Sequence, residues 1–231
     1  MRGPATPDVG SDVGVFMGVD IGQVCHLVLG VPGRGIFHFE TVSVNDLEQR
    51  VTEIDKVYRL IGGACDRHPY TPTADAIREI TGGRVLPVEY RGTTPINFVK
   101  DEFETITHAQ VNRTMILDDV ARSIRKKLIV LEGYNGQEAL LIQQLRDEVR
   151  DEKPDEPAKW IKLTGNDHYF HAIAFYLAGL KLRGALDAME DVDPRTMLSS
   201  MAIDVISQGI PFGIKRGSRQ DHQLGFNRFG L

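Results

Sequence analysis

Three aspartates, Asp20, Asp66 and Asp167, stand at the ends of segments whose patterns predict regular structure. Asp20 ends the apolar run "VGVFMGVD", with Gly18 before it and Gly22 after it. Asp66 ends the short run "ACD", and Asp167 opens a long apolar stretch. Ligand sites in open α/β sheets gather at the carboxyl ends of strands. Three carboxylates meeting there repel one another unless one keeps its proton or a cation neutralises them. Hard oxygen donors suit Mg²⁺ or Mn²⁺. Two such ions about 4 Å apart can activate a water and stabilise the leaving oxygen of a phosphodiester. The small residues around Asp20 leave room for a phosphate. Taken singly, each aspartate also has a structural reading. Asp66 can anchor a turn, and Asp167 can cap a helix, where the dipole favours a negative charge. Their conjunction at three element ends favours a metal site. His171 lies one helical turn after Asp167, so both can face one side, and it can ligate a metal or carry a proton. His168 is a further candidate for either role. The pattern HExxH is absent, which argues against a zinc protease.

The elements that must position these groups follow from periodicity. Runs at 14–20, 24–31 and 34–43 predict strands, broken at Gly22-Gln23 and at "PGRG". Connections this short make the three strands antiparallel neighbours. Asn45 or Asp46 is expected to cap a helix carrying Leu47, Val51, Ile54, Tyr58 and Ile61, stopped by Gly62-Gly63. A strand over 64–66 follows, then a helix with Thr71 as N-cap and Pro72 at its first position, closed by Gly82-Gly83. A strand over 84–90 completes a strand–helix–strand unit, which is a parallel crossover. Residues 102–113 predict a strand or hairpin, and Asp118 or Asp119 a cap for a helix with Val120, Ile124 and Leu128. A helix over 136–150, a short strand over 159–163 and a helix over 167–182 come next. The fold class is α/β: a mixed sheet of three antiparallel strands and then parallel strands, with helices on both faces.

Composition narrows the class. With 231 residues, 42% hydrophobic and 26% charged, the chain suits one large globular domain plus a tail. No apolar run approaches the ~20 residues that span a bilayer, and 1–12 lacks a signal-peptide core. Cys25 and Cys65 sit in apolar runs and read as buried thiols, which fits a cytoplasmic setting. A net charge of -5 argues weakly against tight nucleic-acid binding. The charge is uneven, however. Residues 146–157 carry an acidic excess expected on an exposed helix end and loop. Arg122, Arg125, Lys126 and Lys127 form a basic cluster, either a solvated helix face or a contact to a phosphate backbone. The segment from Ser207 reads as a flexible tail, basic through Lys215, Arg216, Arg219 and Arg228, with Phe226 and Phe229 between.

The segments "MGVDIG", "CDRHP", "VNRTMILDDVARSIRKKLIVL" and "WIKLTGNDHYFHAIAFYLAG", in this order, resemble the nuclease domain of tailed-phage terminase large subunits. The resemblance runs over about 13–182. It implies a ribonuclease H-like fold and a metal-dependent endonuclease that cuts concatemeric viral double-stranded DNA during genome packaging. Carried over, Asp20, Asp66 and Asp167 become ligands of two Mg²⁺ or Mn²⁺ ions. His171 stands where many relatives have a second acid. The basic cluster becomes a DNA contact. The resemblance also implies the portal ring, the small terminase subunit and a packaging ATPase domain as partners, and the host cytoplasm as the setting. The pattern GxxxxGK[ST] is absent, so ATP hydrolysis is not expected of this stretch. On this reading 1–12 is a remnant of an interdomain connection, 13–185 the nuclease domain and 186–231 an extension and tail. The rival readings are an actin-like ATPase or sugar kinase, which also starts on a "DxG" turn, and a Holliday-junction resolvase or transposase core. A non-catalytic module on this fold is a third.

Overall fold

The first three strands form where the pattern places them: β1 is Gly14–Asp20, β2 Val24–Val31 and β3 Gly35–Ser43. The computed structural model describes residues 12–132 and 138–190. A 3₁₀ turn, Val44–Asp46, leads into α1 (Leu47–Val57), β4 (Arg59–Asp66), α2 (Thr71–Ile80) and β5 (Val85–Tyr90). The hairpin β6 (Ile96–Lys100) and β7 (Ile106–Val111) precedes α3 (Arg113–Arg125). Then come α4 (Glu138–Asp147), the small hairpin β8 (Glu148–Asp151) and β9 (Lys159–Lys162), and α5 (His168–Glu190). No described helix is long and apolar enough to cross a membrane.

Seven strands form one sheet in the order β3-β2-β1-β4-β5-β7-β6. The β1–β2 and β2–β3 pairs are antiparallel, while β1–β4, β4–β5 and β5–β7 are parallel. The last strand, β6, returns antiparallel on β7. This is the ribonuclease H-like mixed sheet. Alternation along the strands feeds two cores. Val15, Met17, Val19, Leu27, Leu60 and Cys65 pack with α1 and α2 on one face. Phe16, Val28, Ala64, Val88 and Ala109 pack with α3 and α5 on the other. Both cysteines are buried and free.

The main departure from expectation concerns Gly62 and Gly63. They do not stop α1, which ends at Val57, but lie inside β4, whose first residue is Arg59. A side chain at 62 would strike the Phe16 ring, and one at 63 the Met17 carbonyl. Ile61 therefore belongs to the strand, where its side chain covers Gly14. Opposite, a Cβ on Gly179 of α5 would meet the backbone of Gly63, and one on Gly18 would meet the Ala172 carbonyl and Tyr176 nitrogen. Glycine inside a strand marks a close backbone approach, and here the helix backbone rests directly on β1 and β4.

Smaller departures have local causes. The cap of α3 is Asn112, whose Oδ1 accepts from the Met115 nitrogen at 3.0 Å, so the helix starts before Asp118 and Asp119. Those two aspartates serve tertiary contacts instead. Asp118 accepts from Trp160 Nε1 at 2.9 Å and Arg150 Nε at 2.8 Å, and Asp119 pairs with Lys181. Asp46 takes the N-cap position of α1 as expected but makes no side-chain cap bond, while Ser43 caps the preceding 3₁₀ turn by accepting from the Asn45 nitrogen. Thr71 is the first residue of α2, not its cap, and its hydroxyl donates to the Arg67 carbonyl. The helix expected to 150 stops at Asp147, and α5 runs past 182 to Glu190. The tail from Ser207, with its basic and aromatic residues, lies outside the described residues.

Gly18→Ala should cost at least about 1–3 kcal/mol, since the added methyl displaces the α5 backbone. An unchanged denaturant midpoint would show that α5 does not rest on β1 there. Asn112→Ala should cost about 1 kcal/mol through loss of the cap, read from the same unfolding curves.

Candidate metal centre

Asp20 and Asp66 end adjacent parallel strands. Val19 pairs with Cys65, so the two aspartates are the next pair along, on strands that run about 4.8 Å apart. Alternation turns both towards α5, on the side of Gly18 and Ala64. Asp20 is 9% exposed and meets His168, Oδ2 to Nδ1, at 2.8 Å. Asp66 Oδ1 accepts from the His68 nitrogen at 3.2 Å. Among the described residues neither carboxylate has a Lys or Arg ion pair. Burial, with the charge of Asp20 added, pushes the Asp66 carboxyl up to about 7. On the next strand, Asp66 pairs with Val88, and Tyr90 lies two residues further on the same face. The Tyr90 hydroxyl is held well above its usual range by burial and by the charges of Asp66 and Asp20.

His168 is the first residue of α5. Its hydrogen bond to Asp20 raises its pKa against the opposing effect of burial. The ring stacks on His26, centroids 4.7 Å apart and planes 14° apart, and Tyr169 closes edge-on against His26. Burial and the neighbouring His168 push His26 down to about 4, so it stays neutral. Gln144 of α4 links the parts: its amide nitrogen is 3.3 Å from His26 Nε2 and its oxygen accepts from the Tyr169 nitrogen at 2.7 Å. The latter bond satisfies a free N–H in the first turn of α5. One donor atom each from Asp20, His26 and His168 lie within 4.8 Å of one another.

Asp167 is fully buried and differently partnered. Lys162 Nζ is 3.1 Å from its Oδ1 and 2.8 Å from its Oδ2. His171 Nε2 is 2.8 Å from Oδ2 and 3.0 Å from Glu148 Oε1, while its Nδ1 is 2.8 Å from the Tyr90 hydroxyl. Arg113 Nη2 closes the chain on Glu148 Oε1 at 2.5 Å. Burial pushes the Asp167 carboxyl up, but His171 and Lys162 hold it well below the usual carboxylate range. Burial pulls His171 down, yet the bonds to Asp167 and Glu148 outweigh it and lift it to about 8. The loop before Asp167 is clamped by Asp147. Its Oδ1 accepts from the Thr164 nitrogen and hydroxyl, and its Oδ2 from the nitrogens of Gly165 and Asn166. These bonds, the Thr164 hydroxyl first, hold the Asp147 carboxyl low.

The structure thus sets Asp20 and Asp66 side by side, with His168 against Asp20. Asp167 and His171 enter a second network, still within electrostatic reach, since His168 feels both Asp20 and Asp167. Arg122, Arg125, Lys126 and Lys127 are exposed at the far end of α3. That end lies about 18 Å along the helix from Arg113, at 1.5 Å per residue. Sequence reasoning did not single out Glu148, Lys162, Tyr90, His26 or Gln144. Residues 147 and 148 were expected on an exposed helix end, but both are buried. Their signal, if any, was position: Gln144, Asp147 and Glu148 recur at helical spacing.

The donor set fits a divalent cation at Asp20 and Asp66. Two adjacent carboxylates with no Lys or Arg ion pair among the described residues offer hard oxygens, with His168 hydrogen-bonded to Asp20 beside them.

No family model matches the sequence, and no curated protein matches it. Among solved structures, the large terminase nuclease from thermophilic phage G20c with bound magnesium superposes with a TM-score of 0.51 at 12% identity, covering 72% of this chain and 82% of that one. A second structure of the G20c large terminase nuclease gives 0.47 at 13% identity, with 72% and 82% covered. The large terminase of another thermophilic bacteriophage, in complex with ATP-gamma-S, gives 0.47 at 15% identity, covering 76% of this chain and 42% of that one. The likeness to the magnesium-bound nuclease is one of fold.

Asp66 has a consequence for stability without divalent ions. Its folded pKa of about 7 exceeds the unfolded value of about 3.9. The folded chain therefore binds the extra proton, and the contribution is full below about pH 4 and lost as pH rises through about 7. Wild type should lose more thermal stability than Asp66→Asn between pH 5 and pH 8. Parallel losses would show that Asp66 is not crowded.

Proposed function

We propose that this chain is a divalent-metal-dependent endonuclease that hydrolyses phosphodiesters of double-stranded DNA at the Asp20–Asp66 pair. One observation carries the reading: two adjacent carboxylates at the carboxyl ends of parallel strands, without a Lys or Arg ion pair among the described residues, one of them pushed up to about 7. Such a pair is costly unless a cation enters. Mg²⁺ or Mn²⁺, held by Asp20 and Asp66 with His168 beside them, would supply Lewis-acid polarisation of a phosphoryl oxygen and an acidified water. His168 engages one oxygen of Asp20 and leaves the other for a ligand. Beside the pair, Tyr90, His171 and Asp167 form a hydrogen-bonded chain.

Cleavage of concatemeric viral DNA during genome packaging is the biological setting we propose. It would place the protein in the host cytoplasm with the portal ring, the small terminase subunit and a packaging ATPase domain as partners. The sequence segments that resemble terminase nucleases and the fold shared with the magnesium-bound G20c nuclease support it. Arg122, Arg125, Lys126 and Lys127 would meet phosphates away from the cut, giving affinity without sequence information.

Supercoiled plasmid should be nicked with Mn²⁺, and Asp20→Asn and Asp66→Asn should each lose at least about 100-fold, the scale for removing a group that stabilises transition-state charge. Undiminished nicking by Asp20→Asn would discard the assignment. Alanine at all four basic positions should weaken binding evenly across sequences and flatten its salt dependence, by about one unit of slope per lost phosphate contact. Anisotropy titrations over a salt series read this, and an unaltered slope removes the cluster from the interface.

A further inference from the structure

The two halves of the centre differ in one respect that residue type does not explain. Asp20 and Asp66 have no Lys or Arg ion pair among the described residues. Asp167 has Lys162 on both its oxygens, and Glu148 beside it has Arg113. Two negative and two positive charges already balance there, even with His171 uncharged. Glu148, Asp167 and His171 do bring donor atoms within 4.8 Å of one another, but a divalent cation entering there would meet carboxylates already matched by two positive charges and would have to displace the ammonium.

Lys162 is not a loose surface lysine. It lies on β9 directly across from Glu148 on β8. That hairpin is tied to α3 by Trp160 and Arg150 on Asp118, and by Arg113 on the Trp160 carbonyl at 2.9 Å. Beyond Lys162, the loop clamped by Asp147 returns the chain to Asp167. Both ends of the ion pair are therefore set by hydrogen-bonded backbone. The charge of Lys162 also acts on His168, so it stands beside the first half of the centre.

We propose that the chain takes one divalent cation, at Asp20 and Asp66, and that the Lys162 ammonium on Asp167 stands in place of a second. The inference rests on the hydrolytic reading for the first ion and departs from the two-ion arrangement that the sequence resemblance implies. Lys162 is then a fixed positive charge at the rim of the site, able to offset charge developing on a departing oxygen, where such preset charges act most strongly. Its side chain is half exposed, so replacing it does not open the core.

The test is the number of Mn²⁺ ions bound per chain, by calorimetric titration and by equilibrium dialysis, with thermal melts to confirm folding. Wild type and Lys162→Arg should bind one ion. Lys162→Ala should bind two, and adding Asp167→Asn should return the count to one. Two ions in wild type, one of them lost in Asp167→Asn, would overturn the inference while leaving the hydrolytic reading intact. A single ion in Lys162→Ala would also overturn it. No ion in wild type, together with no nicking, would overturn both.

Discussion

Everything at the centre depends on how closely α5 lies on the sheet. Gly18 in β1 and Gly179 in the helix remove the side chains that would hold the two backbones apart, Gly179 lying over the backbone of Gly63. Interiors are packed too densely for such a contact to slide or to tolerate extra atoms. The helix start is therefore delivered to the ends of β1 and β4, with His168 on Asp20. Gln144 and Asp147, one turn apart on α4, then fix the first N–H groups of α5 and the loop before it.

The same side chain behaves oppositely at two places a short distance apart. Asp66 keeps its proton towards neutrality because burial and Asp20 oppose its charge. Asp167 is more deeply buried, yet its partners hold it ionised. Burial disfavours the charged form in both, and what decides the outcome is whether a cation is built in. The Asp20–Asp66 pair has no Lys or Arg against it among the described residues, and the Asp167–Glu148 pair is matched by the protein's own charges.

The fold was largely legible because its signals are local. Alternation and short turns mark β1 to β3, and Thr71-Pro72 with Gly82-Gly83 brackets α2. The failures came where tertiary contact overrode a local cue. Gly62-Gly63 reads as a helix stop, but the pair lies inside β4, where side chains would strike Phe16 and Met17 of β1. Asp118 and Asp119 read as caps, but Trp160, Arg150 and Lys181 recruit them. At the centre, element ends pointed to Asp20 and Asp66. The partners of Asp167 were not legible, because Lys162 and Glu148 sit in a charged, polar stretch whose pattern resembles exposed loop. Only folding the β8–β9 hairpin against α3 brings them inward.

The centre draws on residues from the first described strand and the last described helix, with contributions from β4, α4 and the β8–β9 hairpin between. Contacts of such wide separation along the chain form late, because loop closure must be met before they give any return. A nascent or half-folded polypeptide therefore contains every one of these side chains without bringing them together. On the proposed reading, completion of folding and the capacity to hold an ion would be one event.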